Sequence, residues 1–443
     1  MTKSLLYSSL FVAVTQTAIA QQAPPTRQLG PVTAVSSEQL GAFVTIRDIG
    51  RGVLVNDMQN RRLLFFDSTL TQVSVVADTT PATAGAYGGR TGALIAYRGD
   101  SSLFIDPQSQ SMTVVDPQGK LQRVMALPRS QDAMTLGNAV FGVPTFDASG
   151  RLVYRGAPDM RAMMARSMGP NGTFTPPEPP DTAALVRIDL ATRVLDTVGF
   201  LKVPKIKMDI QRDENGRVRM QSIANPLPVV DDWAVLPNGS IALIRGRDYH
   251  VDWVRPDGAR ESSPKMPFDW QRLSDEDKVA FLDSVKAVRQ RMVAADSANR
   301  RGAAVGFGAG AAAGGPPGGG EQRVTIMAGP GGAGGPPPGG GAFGGPGREM
   351  TFVTPSELPD YKPPFFVGSV RADADGFIWV RTIPTKAIAG GVVYDVVDAK
   401  GALVDRVQVP KDRTIVGFGK GGVVYLLARE GNVSKLERAK SRS

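Results

Sequence analysis

The chain alternates short apolar runs with turn residues, and two forms of run recur. The first is a turn followed by a β-branched strand: Phe146-Asp-Ala-Ser-Gly-Arg-Leu-Val-Tyr154, Leu236-Pro-Asn-Gly-Ser-Ile-Ala-Leu-Ile244, Ala372-Asp-Ala-Asp-Gly-Phe-Ile-Trp-Val380 and, more loosely, Phe418-Gly-Lys-Gly-Gly-Val-Val-Tyr-Leu426. Asp or Asn beside Gly tolerates the positive φ of a tight hairpin, and the branched residues behind it suit a pleated strand. The second form is strand, turn, strand. Thr113–Val124 parallels Tyr394–Val407, with weaker copies at Leu185–Leu195, Asp252–Arg260 and Leu64–Val73. Several copies end in Pro (Pro128, Pro204, Pro267, Pro410), which stops a ladder.

One inner and one outer hairpin make a four-stranded antiparallel blade. The copies predict six blades, at about 41–78, 85–128, 138–204, 229–267, 366–410 and 414–438. The fold class expected is therefore all-β: a six-bladed β-propeller with one inserted helix and a disordered Gly/Pro-rich loop. The sixth blade is one strand short, and Pro31-Val-Thr-Ala-Val35 can supply that strand and close the ring. A β-sandwich pair or a β-solenoid would leave open edges needing caps, and no capping segment is evident.

Three stretches break the repeat. Gly156 to Asp181 is rich in Met and Pro (Met160, Met163, Met164, Met168), as in a short apolar helix lying on the surface. Lys205 to Ala224 reads as a polar hairpin around Asp213-Glu-Asn-Gly216. In the insertion 268–350, Ser274 and Asp277 look like an N-cap and its partner. A helix is expected over about 275–295, with Phe281, Val285, Val288 and Met292 on one stripe. Gly302 to Gly347 is dominated by Gly, Pro and Ala and is expected to be disordered, with Glu321–Met327 as a strand for some partner. Blades 5 and 6 then occupy 351–438, before a tail at 439–443.

Residues 1–20 carry Lys3, an apolar run from Leu5 to Val14, and Ala18-Ile19-Ala20. That three-part pattern predicts a signal peptide cleaved before Gln21, with 21–30 as a tether. The expected location is periplasmic or extracellular, with no transmembrane segment in the mature chain.

The absence of cysteine removes disulfides, thiolate metal sites and cysteine nucleophiles, and a single histidine, His250, removes multi-histidine zinc sites. The net charge is +9 and mostly arginine. Export and the absence of a long basic run argue against nucleic acid. They favour an anionic small molecule, an acidic polysaccharide or an envelope protein as partner of an expected monomer.

Asp373, Gly376 and Trp379, in an Asp-x-x-Gly-x-x-Trp form, resemble blades of the NHL-like and TolB-like six-bladed propellers. That resemblance is architectural. Gluconolactonase-like members of the group hold a metal in the shaft by Glu, Asn and Asp, and no such set maps onto this chain residue by residue. No cofactor is expected. Asp373 with Asp375 resembles a fragment of a calcium loop, but no 12-residue ligand spacing follows, so it reads as a turn.

Aligning the inner hairpins places Arg98, Arg155, Arg245, Arg381 and Arg429 at the ends of second strands, with Asn56-Asp57 in the remaining blade. Such a ring would concentrate positive field at the ligand-binding mouth. The alternative is a set of solvated or salt-bridged strand ends. Asp248, His250 and Asp252 share one face by period-2 alternation, where an Asp can orient the imidazole for acid–base work or a structural hydrogen bond. No Gly-x-Ser-x-Gly elbow completes a triad. Two functions follow: a binding or scaffold propeller, or a hydrolase or lactonase-like enzyme working in the shaft.

Overall fold

The computed structural model describes residues 22–83, 85–89, 92–167, 179–205, 207–212, 218–306, 351–386, 388–431 and 433–441. The leader at 1–20, the proposed partner strand 321–327 and the Gly/Pro-rich stretch from 307 lie outside them. The chain forms a six-bladed β-propeller, the ring its blade signature implies. Blade 1 is Val44–Asp48, Gly52–Asp57, Arg62–Asp67 and Val73–Ala77; blade 2 is Ala93–Ala96, Ser102–Asp106, Ser111–Val115 and Leu121–Ala126. Blade 3 is Thr145–Phe146, Leu152–Arg155, Thr182–Ile188 and Leu195–Lys202; blade 4 is Asp232–Val235, Ile241–Arg245, His250–Val254 and Arg260–Ser262. Blade 5 is Phe365–Ala372, Ile378–Thr382, Gly391–Val397 and Leu403–Pro410. In blade 6, Arg413–Gly419, Val423–Glu430 and Val433–Lys440 are completed by Val32–Val35, which pairs antiparallel with Val433–Lys440.

Alternation along each strand sends side chains to both neighbouring blades, so the core is a set of joints rather than one centre. Six apolar clusters fill the six joints, one each. Tyrosines pin several of them. Tyr154 donates to Asp132 at 2.7 Å, Tyr249 to Asp395 at 2.9 Å, Tyr425 to Asp48 at 3.0 Å, and Tyr87 to Asn56.

The N-terminal segment is more than a tether. Thr26–Gln28 adds a fifth strand, parallel, to the outer edge of blade 5, and Arg27 grips Asp405 through Nε at 2.9 Å. The same short segment thus stitches blade 5 to blade 6. The last strand runs to Lys440, with Ala439 buried, so the tail at 439–443 begins inside blade 6.

Second-to-third turns and blade-to-blade crossings share one face of the ring, here called the upper face. The insertions all rise from it. The hairpin Lys207–Arg212 with Val218–Ala224 forms as expected, and Thr351–Phe352 adds to it in parallel instead of starting blade 5. The helix runs over Asp275–Gly306, past the expected end at 295, so residues 302–306 are helical, not disordered. Ser274 Oγ accepts from Asp277 N and Asp277 Oδ2 from Ser274 N, the reciprocal cap read from the sequence. Leu282, Leu227, Val353 and Leu358 pack this cap onto Phe366 and Ile383 of blade 5. A second helix, Met160–Ser167, occupies the Met-rich loop. Among the described residues no helix is long and apolar enough to cross a membrane.

Closure by Val32–Val35 makes a prediction. Deleting residues 22–35 is expected to lower the thermal midpoint by about 5 °C or more, at roughly 2 °C per kcal/mol for a chain of this length. An unchanged midpoint in a calorimetric scan would mean that the ring closes without this segment.

Candidate functional site

The five aligned arginines do not form one ring. Arg98 lies in the turn between the first and second strands of blade 2, where Ser101 N donates to the Arg98 carbonyl, so it sits on the lower face. The turn that forms is at Gly99, with φ +59°. The second strand of blade 2 ends instead at Asp106, as that of blade 1 ends at Asp57. Arg155, Arg245, Arg381 and Arg429 do end second strands on the upper face.

Their surroundings differ. Arg245 is spent on structure: Nε donates to Asp252 at 2.7 Å, and one terminal nitrogen to Asp231 at 2.7 Å and to the Phe200 carbonyl at 2.9 Å. Burial works against its charge, yet the two carboxylates hold its pKa above the ordinary arginine value. Asp231 also accepts from Lys202 N and Gly246 N, so this knot ties blade 3 to blade 4. Arg429 is exposed and donates to the Gly431 carbonyl at 3.2 Å. Arg155 and Arg381 make no side-chain hydrogen bond or ion pair among the described residues.

The Asp248–His250–Asp252 alternation is realised. Tyr249, Val251 and Trp253 are buried, while the other three meet on the opposite side. His250 Nδ1 lies 2.7 Å from Asp248 Oδ1, and Nε2 lies 3.1 Å from Asp252 Oδ1. Only a ring protonated on both nitrogens can donate to both carboxylates. Asp252 also accepts from Arg245 and Ser262, and these contacts outweigh burial to hold its carboxyl below the usual range. Ser262 thus donates to the carboxylate, not to the imidazole. With every member engaged by a neighbour, the cluster has the geometry of a clasp.

The polar group that the sequence reading missed stands in the shaft. Asp232, the first residue of blade 4, is buried, and its oxygens accept from Trp233 N at 2.9 Å and Val370 N at 3.1 Å. The N–H groups of Gly368 and Ser369 also act on it; burial nevertheless raises its pKa to about 7. Across it lies Ala139–Phe141, a 3-10 turn from the crossing between blades 2 and 3. The Phe141 carbonyl accepts from Trp233 Nε1 at 2.9 Å. Gly368, at φ +77°, abuts Val140 so closely that a side chain there would strike its carbonyl. This turn fills the shaft mouth between blades 3 and 5.

The Arg155 guanidinium lies 4.9 Å from the centre of the Phe141 ring. Burial lowers the pKa of Arg155 and of Arg371; the opposing influence is Asp232 for Arg155, and the Tyr394 phenol followed by Asp232 for Arg371. Like Arg155, Arg371 has no side-chain hydrogen bond or ion pair among the described residues. A cation–π contact returns about 1 kcal/mol, against several for desolvating an ion, so these two charges are poorly compensated.

A shaft metal does not fit this donor set. Among the described residues no three of His, Asp and Glu converge as ligands. Each buried acid has its own partners: Asp57 with Arg62, Asp132 with Arg129 and Tyr154, Asp395 with Arg406 and Tyr249, Glu437 with Arg413. Asp373 accepts from Asp375 N, Phe377 N and Trp379 Nε1, which is the turn expected.

Asp232 makes the pH profile informative. Its carboxyl has an ordinary value of 3.8 and titrates at about 7 in the folded chain. Between those values the folded state keeps a proton that the unfolded chain releases. Stability from this group is therefore complete below pH 3.8 and falls as pH rises to 7, by at most about 4 kcal/mol. Asp232→Asn is expected to flatten that part of the profile in denaturant titrations at pH 4 to 7. An unaltered slope would show that Asp232 is ionised throughout.

No family model and no curated protein matches the chain. Solved structures with which it aligns include a gluconolactonase of Xanthomonas campestris, 10% identical over 96% of this chain and 99% of that one, with a TM-score of 0.37. Another is a calcium-binding protein, regucalcin, of Agrobacterium tumefaciens, 12% identical over 94% and 98%, with a TM-score of 0.36. A virginiamycin B lyase of Staphylococcus aureus is 9% identical over 93% and 98%, with a TM-score of 0.35. At these scores the likeness bears on no activity, and the blade count rests on the strand pairings themselves.

Proposed function

We propose that the protein is an exported binding or scaffold propeller whose upper face takes an anionic ligand at the junction of blades 5 and 6. The observation that carries this reading is the cleft beside Arg381. Tyr394, Lys411, Asp412, Arg413 and Thr414 line it with Arg381. Arg413 is neutralised by Glu437, through Nε at 2.7 Å and a terminal nitrogen at 3.0 Å. Arg381 has no such partner among the described residues, and Lys411 is exposed. With Arg413 neutralised, Arg381 and Lys411 set two positive charges against the single carboxylate of Asp412, and a phenol and a hydroxyl share the lining, a balance that suits a carboxylate, sulfate or phosphate group. Small anions, acidic polysaccharides and acidic patches on envelope proteins all offer that chemistry. The leader-like residues 1–20 support export.

The double variant Arg381→Ala/Lys411→Ala is expected to weaken binding of such a ligand about tenfold or more. It can be read as the loss of a ligand-dependent rise in melting point across a panel of anionic saccharides and small anions. Arg245→Ala is the counterpart: it should lower stability by about 1–3 kcal/mol and leave the ligand response intact, because Arg245 is already engaged. A panel response carried by Arg245 and indifferent to Arg381 would refute the reading.

A further inference from the structure

We propose that the outer edge of blade 5 is a docking site for an extended polypeptide segment of the form Arg-x-apolar, and that Thr26–Leu29 is a placeholder which such a segment displaces. The Arg381 cleft touches the same strand only at its far end, Pro410, so neither assignment depends on the other.

Blade 5 is complete without its fifth strand. Phe365–Ala372, Ile378–Thr382, Gly391–Val397 and Leu403–Pro410 already make four antiparallel strands, and Val32–Val35 closes the ring in blade 6. Thr26–Gln28 completes no blade; it covers an edge, and only in part. Its three residues pair with Arg406, Val407 and Gln408 along a strand of eight.

The cover stops where the sequence forbids it to continue. In a parallel ladder every second N–H of a strand faces its partner. Leu29 N donates to the Gln408 carbonyl at 2.9 Å, so the upstream donors on that side belong to residues 27 and 25. Residue 25 is proline, as is residue 24, and proline has no N–H to give. Leu403–Asp405 thus have no ladder partner on their outer side among the described residues, and Val404 there is 41% exposed. An open edge beside an exposed apolar side chain is a template for another strand.

The placeholder shows what the edge recognises. Arg27 donates to Asp405 through Nε at 2.9 Å and a terminal nitrogen at 2.6 Å, and Gln28 donates to the Gln408 side-chain carbonyl. Leu29 packs against the apolar cluster between blades 5 and 6. In strand addition the main-chain bonds supply affinity and side-chain pockets choose the segment. Here the choice is a guanidinium for Asp405 and, two residues on, an aliphatic side chain. Thr26 and Gln28 are exposed and Arg27 is so in part, so a short ladder, one surface ion pair and Leu29 hold the placeholder. Its tether keeps it a standing competitor through local concentration. An incoming strand without prolines keeps both side-chain contacts and adds pairs along Leu403–Asp405 that the placeholder cannot make.

The test uses the full mature chain and a fluorescently labelled peptide copying residues 22–29, with threonine and valine in place of the two prolines. Anisotropy reads binding, and a melting curve of each variant checks that the ring is intact. Arg27→Ala loosens the placeholder and leaves the edge untouched, so it should bind the peptide about fivefold more tightly than the native chain, or better. Adding Asp405→Asn to Arg27→Ala removes the acceptor of the peptide's arginine and should weaken binding about tenfold relative to Arg27→Ala alone. Pro24→Thr/Pro25→Val lets the placeholder lengthen, and should raise the melting point and weaken peptide binding below the native level. Arg381→Ala/Lys411→Ala should match the native chain. Equal binding by the native chain and Arg27→Ala, indifference to Asp405→Asn in that background, or no binding by any variant would overturn the site; none of these outcomes bears on the Arg381 cleft.

Discussion

A propeller depends on closure. Each blade buries both of its faces against its neighbours, so a ring with one open joint exposes two apolar sheet faces at once. Here the closing joint is covered by Val44, Ile46, Val53 and Val55 of blade 1 against Tyr425, Leu427 and Leu436 of blade 6. What holds that joint is a strand from the other end of the sequence. Val32–Val35 finishes blade 6, and Thr26–Gln28 reaches back to blade 5. The chain contains no cysteine, so this non-covalent latch replaces what a disulfide could have provided.

Once closure fixes the ring, the fate of most charged residues follows. A side chain at a strand end sits near a joint, where water is scarce and a neighbouring blade offers groups of its own. Arg245 and Arg413 are captured there by carboxylates, as is Arg406 in mid-strand. A positive strand end in such a ring is thus more often a joint fastening than a ligand contact. Arg155, Arg371 and Arg381 matter because they escape this rule.

Much of the architecture was legible because it is written in local patterns. Asp-x-x-Gly turns, paired hairpins and the missing sixth outer strand all lie within a few residues of the feature they specify. The cap helix announced its start through Ser274 and Asp277 and its buried stripe through Phe281 and Val285. The errors have a common physical source. Arg98-Gly-Asp-Ser101 is itself a turn, and only the pairing of Ala93–Ala96 with Ser102–Asp106 shows it. Thr26–Gln28 carries no strong strand signal, since its partner is an edge in blade 5 reached across hundreds of residues. Asp232 was invisible for the same reason: its importance comes from N–H groups of blade 5 and a turn from blade 3.

Those non-local contacts also explain where the molecule concentrates its irregularity. The crossings between blades 2 and 3, 3 and 4, and 4 and 5 carry the shaft turn, the hairpin and the helical cap, whereas the crossing from blade 5 to blade 6 is short. The upper face is therefore built up on one side and open on the other. A buried carboxyl near neutrality and a left-handed glycine packed against a carbonyl both fall on the built-up side. Strain and unpaired charge of this kind are retained only where the surroundings over-determine them, and such places are where proteins meet ligands. The open side lacks these features and offers instead exposed Lys411 and Arg381, which has no side-chain partner among the described residues. An open cleft of this kind suits an anionic group carried on something larger. The asymmetry of the insertions thus leaves the blade 5 to blade 6 side of the upper face as the approach open to such a group.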